Sequence, residues 1–163
     1  MQGYLRWEDA KGWPSQDVAT FARFGLSEGD VVLAMDRPWV KAGLKRAQIG
    51  SEDLPCLLVQ RTARLRPGPR MNQRFLFHLT GSASFSRHLL GLQTGIGVPH
   101  VSGKQIESYC FNLPSLADQK AIADALDDLL ESGRRLECNL QRKLAALDEL
   151  KKSLLHQAFT GAL

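Results

Sequence analysis

The last third of the chain carries an apolar seam at heptad spacing, which predicts one long helix from about Ser115 to about Gln157. The steps alternate between four and three residues, at Ile122, Leu126, Leu129, Gly133, Leu136, Leu140, Lys143, Leu147, Leu150 and Leu154. Eight of these ten positions are Ile or Leu, a pattern typical of a coiled coil rather than of a helix on a globular core. At 1.5 Å per residue the helix is about 64 Å long, so it must pack against a partner or connect two folded units.

Two positions of the seam are not apolar. Gly133 costs about 1 kcal/mol relative to Ala inside a helix, and it indicates a kink or a point of close approach. Lys143 is a polar residue at a core position, where such residues fix the register or the orientation of a partner helix. Simple tolerance of imperfect heptads is the alternative for both.

The composition is that of a soluble protein without a membrane segment. The chain has 163 residues, of which 44% are hydrophobic and 23% charged. The first residues resemble no signal peptide, and the longest apolar runs are far too short to span a bilayer. Three widely separated cysteines without a C-x-x-C pair indicate reduced thiols in a cytoplasmic protein, and neither they nor the four histidines have metal-ligand spacing.

Positive charge is concentrated before the long helix. Residues 1–113 contain 14 Lys and Arg against 9 Asp and Glu, whereas residues 114–163 contain 7 against 8. Ten of the 14 basic residues are Arg, which suits bidentate contacts to phosphate or guanine better than Lys does. A slightly basic, solvated surface is the alternative interpretation.

The boundary between the two parts is predicted at Leu113-Pro114-Ser115, where Pro114 disfavours helix before it and Ser115 with Asp118 forms a capping-box pattern. Residues 1–113 are predicted to be a mixed α/β domain, so the whole chain is α+β. The predicted elements are strands at Val31–Met35, Leu57–Leu65 and Gln105–Phe111, helices at Asn72–Thr80 and Ser82–Leu90, and a loop at Gly91–Gly103.

No catalytic constellation is recognisable, so a free-standing enzyme is disfavoured. The Ser, His and Asp residues cannot be assembled into a triad from sequence. The glycines of Gly91–Gly97 lack the strand-to-helix context and the Lys-Ser/Thr of a phosphate-binding loop. No cofactor is predicted.

Two groups of polar residues are candidates for DNA contact. The first is basic and interleaved by Trp39, and the second lies in and beside the glycine-rich loop. Their members are Arg37, Lys41, Lys45 and Arg46 in the first group, and Gln93, Thr94, His100 and Lys104 in the second. We expect the first group to hold phosphates and the second to include base readers. An ordinary solvated face and an ordinary surface loop are the alternatives.

The boundary and the end of the long helix resemble a known family. Leu113-Pro114-Ser115-Leu116-Ala117-Asp118-Gln119-Lys120-Ala121-Ile122 resembles the Pro-Pro-Leu-x-Glu-Gln-x-x-Ile signature of specificity (S) subunits of Type I restriction–modification systems. Leu154-Leu155-His156-Gln157-Ala158-Phe159-Thr160-Gly161-Ala162-Leu163 is similar to the closing Leu-x-x-Ala-Phe-x-Gly-x-Leu of that family. Ser115 and Asp118 replace the usual second Pro and Glu, and both substitutes also favour a helix start.

Looser matches lie in the first part of the chain. Gly29-Asp30-Val31-Val32-Leu33-Ala34 is similar to the Gly-Asp-Ile-Leu segment of the family's target-recognition domain. Leu58-Val59-Gln60-Arg61 followed by Leu65-Arg66-Pro67 also fits, as does Gly97-Val98-Pro99-His100-Val101-Ser102. The resemblance therefore covers most of the chain, although family members usually carry two recognition domains and two conserved helices, and Met1 begins near the middle of such a domain.

The resemblance implies a non-catalytic DNA-reading subunit. Residues 1–113 would be a target-recognition domain, and residues 114–163 a spacer helix that docks methyltransferase (M) subunits and through them a restriction (R) subunit. With one helix, we expect a homodimer with antiparallel helices that reads a palindromic, bipartite site in double-stranded DNA. The seam residues expected to pair are Ile122, Leu126, Leu129, Leu136, Leu140, Leu147, Leu150 and Leu154. The alternative is a coiled-coil interaction or regulatory protein without DNA binding of its own.

Overall fold

The computed structural model describes residues 5, 7–8, 10–14, 17, 19–40, 43–91 and 100–161. The chain divides into two compact units, residues 1–123 and residues 124–163. Small antiparallel sheets and short helices make up the first unit, and the second is the greater part of one long helix. The predicted α+β class is therefore confirmed.

A three-stranded antiparallel sheet forms the centre of the first unit. Its middle strand is β1 (Val31–Ala34), and a short hairpin of β2 (Trp39–Val40) and β3 (Gly43–Leu44) follows it. The edge strands are β4 (Arg46–Gln48) and β5 (Thr62–Leu65), both antiparallel to β1. Because β1 lies between two strands, its backbone is paired on both sides.

Both faces of β1 are covered, which explains its continuous apolar sequence. Leu33 packs in one hydrophobic cluster with Phe85, Leu89 and Val101, and Val31 packs with residues of a neighbouring helix. Val32 points to the opposite face, where it meets a third cluster. The predicted strand at Val31–Met35 is confirmed, with its end one residue earlier than expected.

Helices cover one side of this sheet. They are α1 (Gln73–Thr80), α2 (Ala83–Gly91) and α3 (Gly103–Glu107), and the first two confirm the predicted helices. Both begin with polar caps: Asn72 Oδ1 accepts the Phe75 N–H at 2.9 Å, and Ser82 Oγ accepts the Phe85 N–H at 3.1 Å. None of the helices that the structure describes is long and apolar enough to cross a lipid bilayer.

Two predicted strands require correction. Gln105–Phe111 is not a strand: α3 occupies its first half because Ser102 and Gln105 form a capping box, in which Gln105 Oε1 accepts the Ser102 N–H at 2.7 Å. Leu57–Leu65 is a strand only from Thr62, because the chain turns at Gln60 and Arg61. Ile106 and Tyr109 of the first segment and Leu58 of the second pack against the hydrophobic core without forming continuous sheet.

The predicted long helix is confirmed as α4 (Leu116–Thr160), which has 45 residues. Ser115 caps it as expected, since its Oγ accepts the Asp118 N–H at 3.2 Å and donates to Asp118 Oδ2 at 2.7 Å. The predicted division of roles at residue 113 stays a prediction, and the compact units divide later, after Ala123.

Gln119 joins the first turns of α4 to the first unit. Its side chain is fully buried, and its amide nitrogen donates to the carbonyls of Pro114 at 2.8 Å and Arg70 at 3.0 Å. Its Oε1 accepts the backbone N–H of Asn72 at 2.8 Å. The glutamine of the family signature therefore ties α4 to the loop that caps α1.

Candidate nucleic-acid interface

Exposed basic side chains converge where β1 ends. Asp36 is the centre of this region: its Oδ2 lies 3.1 Å from Arg61 Nη1, and its Oδ1 lies 2.5 Å from His100 Nδ1. Backbone hydrogen bonds hold the three segments together, because the Met35 N–H donates to Arg61 O and the Val101 N–H donates to Met35 O, both at 2.8 Å. Three segments distant in sequence therefore meet at one end of the sheet.

Lys45, which directly precedes β4, adds a further cation at the same end of the sheet. The Lys45 N–H donates to Pro38 O at 2.6 Å, and the Lys45 carbonyl accepts the Ala34 N–H at 3.0 Å. Arg37 lies between Asp36 and Pro38 in sequence, and the side chains of Arg37 and Lys45 are exposed. We name this region the Asp36 edge, defined by Asp36, Arg37, Lys45, Arg61 and His100. It has three permanent positive charges against one carboxylate.

Two arginines of the Asp36 edge have left-handed backbone. The φ angle is 45° at Arg37 and 65° at Arg61, and these are the non-glycine residues with positive φ among those the structure describes. Such a conformation costs on the order of 1–3 kcal/mol for a residue with a Cβ, and it is concentrated at functional sites. The hydrogen bonds around Met35 hold the backbone in this form.

Sequence reasoning did not select Arg61 as a candidate. Arg61 lies within the predicted strand Leu57–Leu65, where a charged residue interrupts the apolar face, and that interruption is the signal that marks it. In the structure its side chain is 75% exposed and held on one side by Asp36. Arg61 therefore belongs with Arg37, Lys45 and His100, which were predicted.

Arg46 has a different environment from the other predicted residues. Its Nη1 donates to Phe77 O at 2.6 Å near the end of α1, and its guanidinium lies 3.9 Å from the centre of the Phe77 ring. Burial and then the nearby Arg74 charge lower the pKa of Arg46 to about 10. Gly81 leaves the room for this side chain, because a Cβ there would overlap the guanidinium. A DNA contact by Arg46 stays a prediction, and the side chain already binds the C-terminal end of α1.

The remaining predicted residues divide into two sets. Lys104 is exposed in the first turn of α3, four residues after His100. Lys41, Gln93 and Thr94 lie outside the residues that the structure describes.

The Gly29-Asp30 motif has a structural role at the other end of β1. Arg66 donates two hydrogen bonds to the buried Asp30 carboxylate, from Nε at 2.8 Å and from Nη2 at 2.6 Å. The Ser27 N–H donates a third at 2.8 Å, in a turn where Gly29 has a φ of 84°. Burial alone would raise the pKa of Asp30, but the hydrogen bonds from Arg66 and Ser27 outweigh it and the pKa is lowered.

The seam of α4 is exposed to solvent along its length. Exposed fractions are 68% for Leu129, 61% for Leu136 and 61% for Leu147. Two further leucines, Leu130 and Leu144, are exposed one position beyond the seam on the same flank. An apolar face of this size on a helix indicates a protein partner.

Within the described residues, groups that bind metals or form disulfides are not brought together. Across the described parts of the chain, no three side chains of His, Cys, Asp or Glu are clustered for an ion. All three cysteines are free, and Cys110 and Cys138 are exposed.

Comparisons with known proteins agree with this architecture. The family model "Type I restriction modification DNA specificity domain" matches residues 12–146. The Type I restriction enzyme EcoAI specificity subunit of Escherichia coli is 32% identical over 135 residues, which are 83% of this chain and 23% of that subunit. This chain belongs to the Type I restriction–modification DNA specificity family. The family match confirms the interpretation as a DNA specificity component.

Other members of the specificity family are similar along most of the chain. The MjaVIII specificity subunit of Methanocaldococcus jannaschii is 28% identical over 163 residues, which are 98% of this chain and 37% of that subunit. The HsdS subunit from Thermoanaerobacter tengcongensis matches with a TM-score of 0.61 at 24% identity, over 82% of this chain and 33% of that one. A structure from work on complex assembly of the type I R-M system matches with a TM-score of 0.65 at 20% identity, over 83% and 32%. This chain thus spans well under half the length of these relatives.

Proposed function

We propose that this chain binds one half of a bipartite DNA site through its Asp36 edge and pairs with a second copy through α4. The paired helices would set the distance between the two DNA-binding units. They would also dock methyltransferase subunits, which would in turn bind a restriction subunit. Since such a complex acts on cellular DNA, we place it in the cytoplasm.

The arrangement around Asp36 is the observation that supports the proposed DNA binding. Asp36 holds one nitrogen of Arg61, so the guanidinium is oriented while its other nitrogens remain available for a bidentate contact. Such a fork matches the O6 and N7 atoms of guanine or two phosphate oxygens. Arg37 and Lys45 are exposed beside it and would contact phosphates, which position a protein on the duplex.

The exposed seam supports the pairing. Leucines that are more than half exposed in one chain would be removed from water by a second α4, and each such side chain contributes roughly 1.5–3 kcal/mol when fully buried. Leu130 and Leu144 widen the apolar face beyond a two-stranded seam, as in helices that contact more than one neighbour. We propose that this flank contacts the methyltransferase subunit.

The DNA-binding part is tested by fluorescence anisotropy with a mixed-sequence duplex across a salt series. We expect binding that weakens with salt, because phosphate contacts release counterions in proportion to their number. Arg37→Glu/Lys45→Glu should weaken binding and reduce the magnitude of the salt slope by about 2.

Arg23→Glu/Arg87→Glu is the matched control, because it changes the net charge equally at positions outside the Asp36 edge. Equal losses in the two variants would mean that only overall charge matters, and would contradict the assignment of the site. If the wild-type chain binds no DNA, alone or with its methyltransferase subunit, while still self-associating, the chain is a coiled-coil interaction protein instead.

A further inference from the structure

The two imperfect positions of the α4 seam are placed symmetrically in the helix. α4 runs from Leu116 to Thr160, so Cys138 is its midpoint, with twenty-two residues on each side. Gly133 lies five residues before Cys138 and Lys143 lies five residues after it. Their positions are therefore related by reversal of the helix about its centre.

The rest of the seam has the same symmetry. In an antiparallel pair of identical helices centred on Cys138, facing residues lie at equal distances before and after that residue. The layers would be Ile122 with Leu154, Leu126 with Leu150, Leu129 with Leu147, Gly133 with Lys143, and Leu136 with Leu140, each occurring twice. Every layer joins heptad position a of one helix to heptad position d of the other, which is the pairing found in antiparallel coiled coils.

In this register the missing side chain at Gly133 leaves room for the long side chain of Lys143 on the facing helix. A side chain at Gly133 would meet nothing within 4 Å in the single chain, so this position offers open space to a facing residue. Lys143 can lay its methylene stem across that space and extend its ammonium group to solvent at the edge of the interface. No leucine has to face the charged group, and no leucine faces the gap.

Other arrangements of the two helices place Gly133 and Lys143 in different layers. A shift by one heptad places Lys143 against Leu126 or Leu140 and leaves Gly133 opposite Leu136 or Leu150. A parallel pair would place Lys143 against its own copy, with two like charges in one core layer, and Gly133 against its own copy. The shifted register brings a charge and a cavity against apolar residues, and the parallel pair brings two like charges together and leaves a cavity between two glycines.

We propose that Gly133 and Lys143 form a register key, which fixes two copies of this chain antiparallel with Cys138 at the centre of the paired helices. The proposal rests on the homodimer proposed above and adds the register of its antiparallel helices. Because the register sets the separation of the two copies' N-terminal units along the helix axis, it would fix the spacer between the two half-sites.

Disulfide cross-linking distinguishes the registers. In a background with Cys110→Ser and Cys138→Ser, chains carrying Gly133→Cys and chains carrying Lys143→Cys are oxidised separately and after mixing. We expect a cross-linked dimer only in the mixture. In the proposed register two copies of residue 133 are about 15 Å apart along the axis, which is beyond the roughly 7 Å between Cα atoms that a disulfide allows.

Cross-linking of the Gly133→Cys chain with itself would mean parallel helices and would overturn the register. Cross-linking of Lys143→Cys with Leu126→Cys in place of the mixture above would mean a shifted register and would also overturn it. In both cases the homodimer itself would stand. Absence of cross-linking in every combination, with sedimentation at the monomer mass, would overturn the homodimer and the register together.

A residue swap gives a second readout by sedimentation equilibrium. Gly133→Lys places two lysines in each affected layer, so we expect the dimer dissociation constant to rise by roughly tenfold or more. Gly133→Lys/Lys143→Gly restores the complementary pair with the roles exchanged, and should return the constant to within about threefold of wild type. Additive losses in the double variant would contradict the key.

Discussion

At the residue scale, the arginines of the first unit divide into those that hold the fold and those that face solvent. Arg66 and Arg46 are bound to protein groups, the first to the Asp30 carboxylate and the second to Phe77 O. Arg37 and Arg61 are exposed on left-handed backbone beside Asp36. The abundance of arginine in the sequence indicated a basic partner-binding surface, but not which arginines form it.

Arg61→Asn separates binding from folding at the Asp36 edge. Asn tolerates left-handed backbone, and an exposed ion pair contributes about 0–1 kcal/mol, so we expect the free energy of unfolding to change by less than about 1 kcal/mol. DNA affinity should fall by about tenfold, as for loss of one bidentate contact of 1–3 kcal/mol. Urea unfolding and anisotropy measure the two quantities.

Arg23→Asn is the control, since the Arg23 carbonyl accepts from Arg64 near the opposite end of β5 and its side chain is outside the Asp36 edge. It should leave affinity within about twofold of wild type. An Arg61→Asn protein that binds as tightly as wild type would exclude Arg61 from the interface.

Asp30→Asn tests the structural role of the Gly-Asp motif. The folded pKa of Asp30 is lowered, so its contribution to stability is present above the unfolded pKa of about 3.9 and is lost as pH falls through the folded pKa. At pH 7 we expect the variant to be destabilised by about 1–3 kcal/mol, because a buried charge-assisted pair is broken. The difference from wild type should shrink when unfolding is measured near pH 3.

Asp148→Asn, at an exposed position of α4, should change stability by less than about 0.5 kcal/mol at either pH. A constant difference between Asp30→Asn and wild type from pH 7 to pH 3 would contradict the account of this ion pair.

At the element scale, periodicity predicted the long elements and local capping decided where the predictions failed. The heptad seam and the Ser115 cap were sufficient for α4, as apolar spacing was for α1 and α2. The strands β2 to β4 have two or three residues each, which is too short for any period to be read. The prediction at Gln105–Phe111 is wrong because the Ser102–Gln105 capping box starts a helix there despite the alternating pattern.

Gln119→Glu tests the connection at the start of α4. Both amide hydrogens of Gln119 are donated to carbonyl oxygens, and a carboxylate in that place would face two acceptors. We expect the free energy of unfolding of the first unit to fall by about 2–4 kcal/mol, since buried polar groups of 1–3 kcal/mol each lose their partners. Denaturant unfolding followed by tryptophan fluorescence measures this change.

Gln141→Glu makes the same chemical change at an exposed position of α4 and should alter stability by less than about 0.5 kcal/mol. Equal stability of Gln119→Glu and wild type would mean that the hydrogen bonds of Gln119 do not hold the helix to the first unit.

At the scale of the whole molecule, the family was recognisable from sequence because the signatures at both ends of α4 have physical roles. Gln119 anchors the helix, and the seam between the signatures has the spacing that a partner helix requires. The position of the proposed DNA-binding residues was only partly predictable, because Asp36, Arg61 and His100 are brought together by the fold from segments up to 64 residues apart. No local pattern in the sequence contains that information.

The central claim is that two copies of this chain, paired through α4, read two copies of one half-site. Selection from a random duplex library, using the chain together with its methyltransferase subunit, tests it most directly. We expect an enriched sequence made of one half-site and its inverted repeat, separated by a spacer of one fixed length. Enrichment of a single half-site without its inverted copy, or of no sequence at all, would contradict the account.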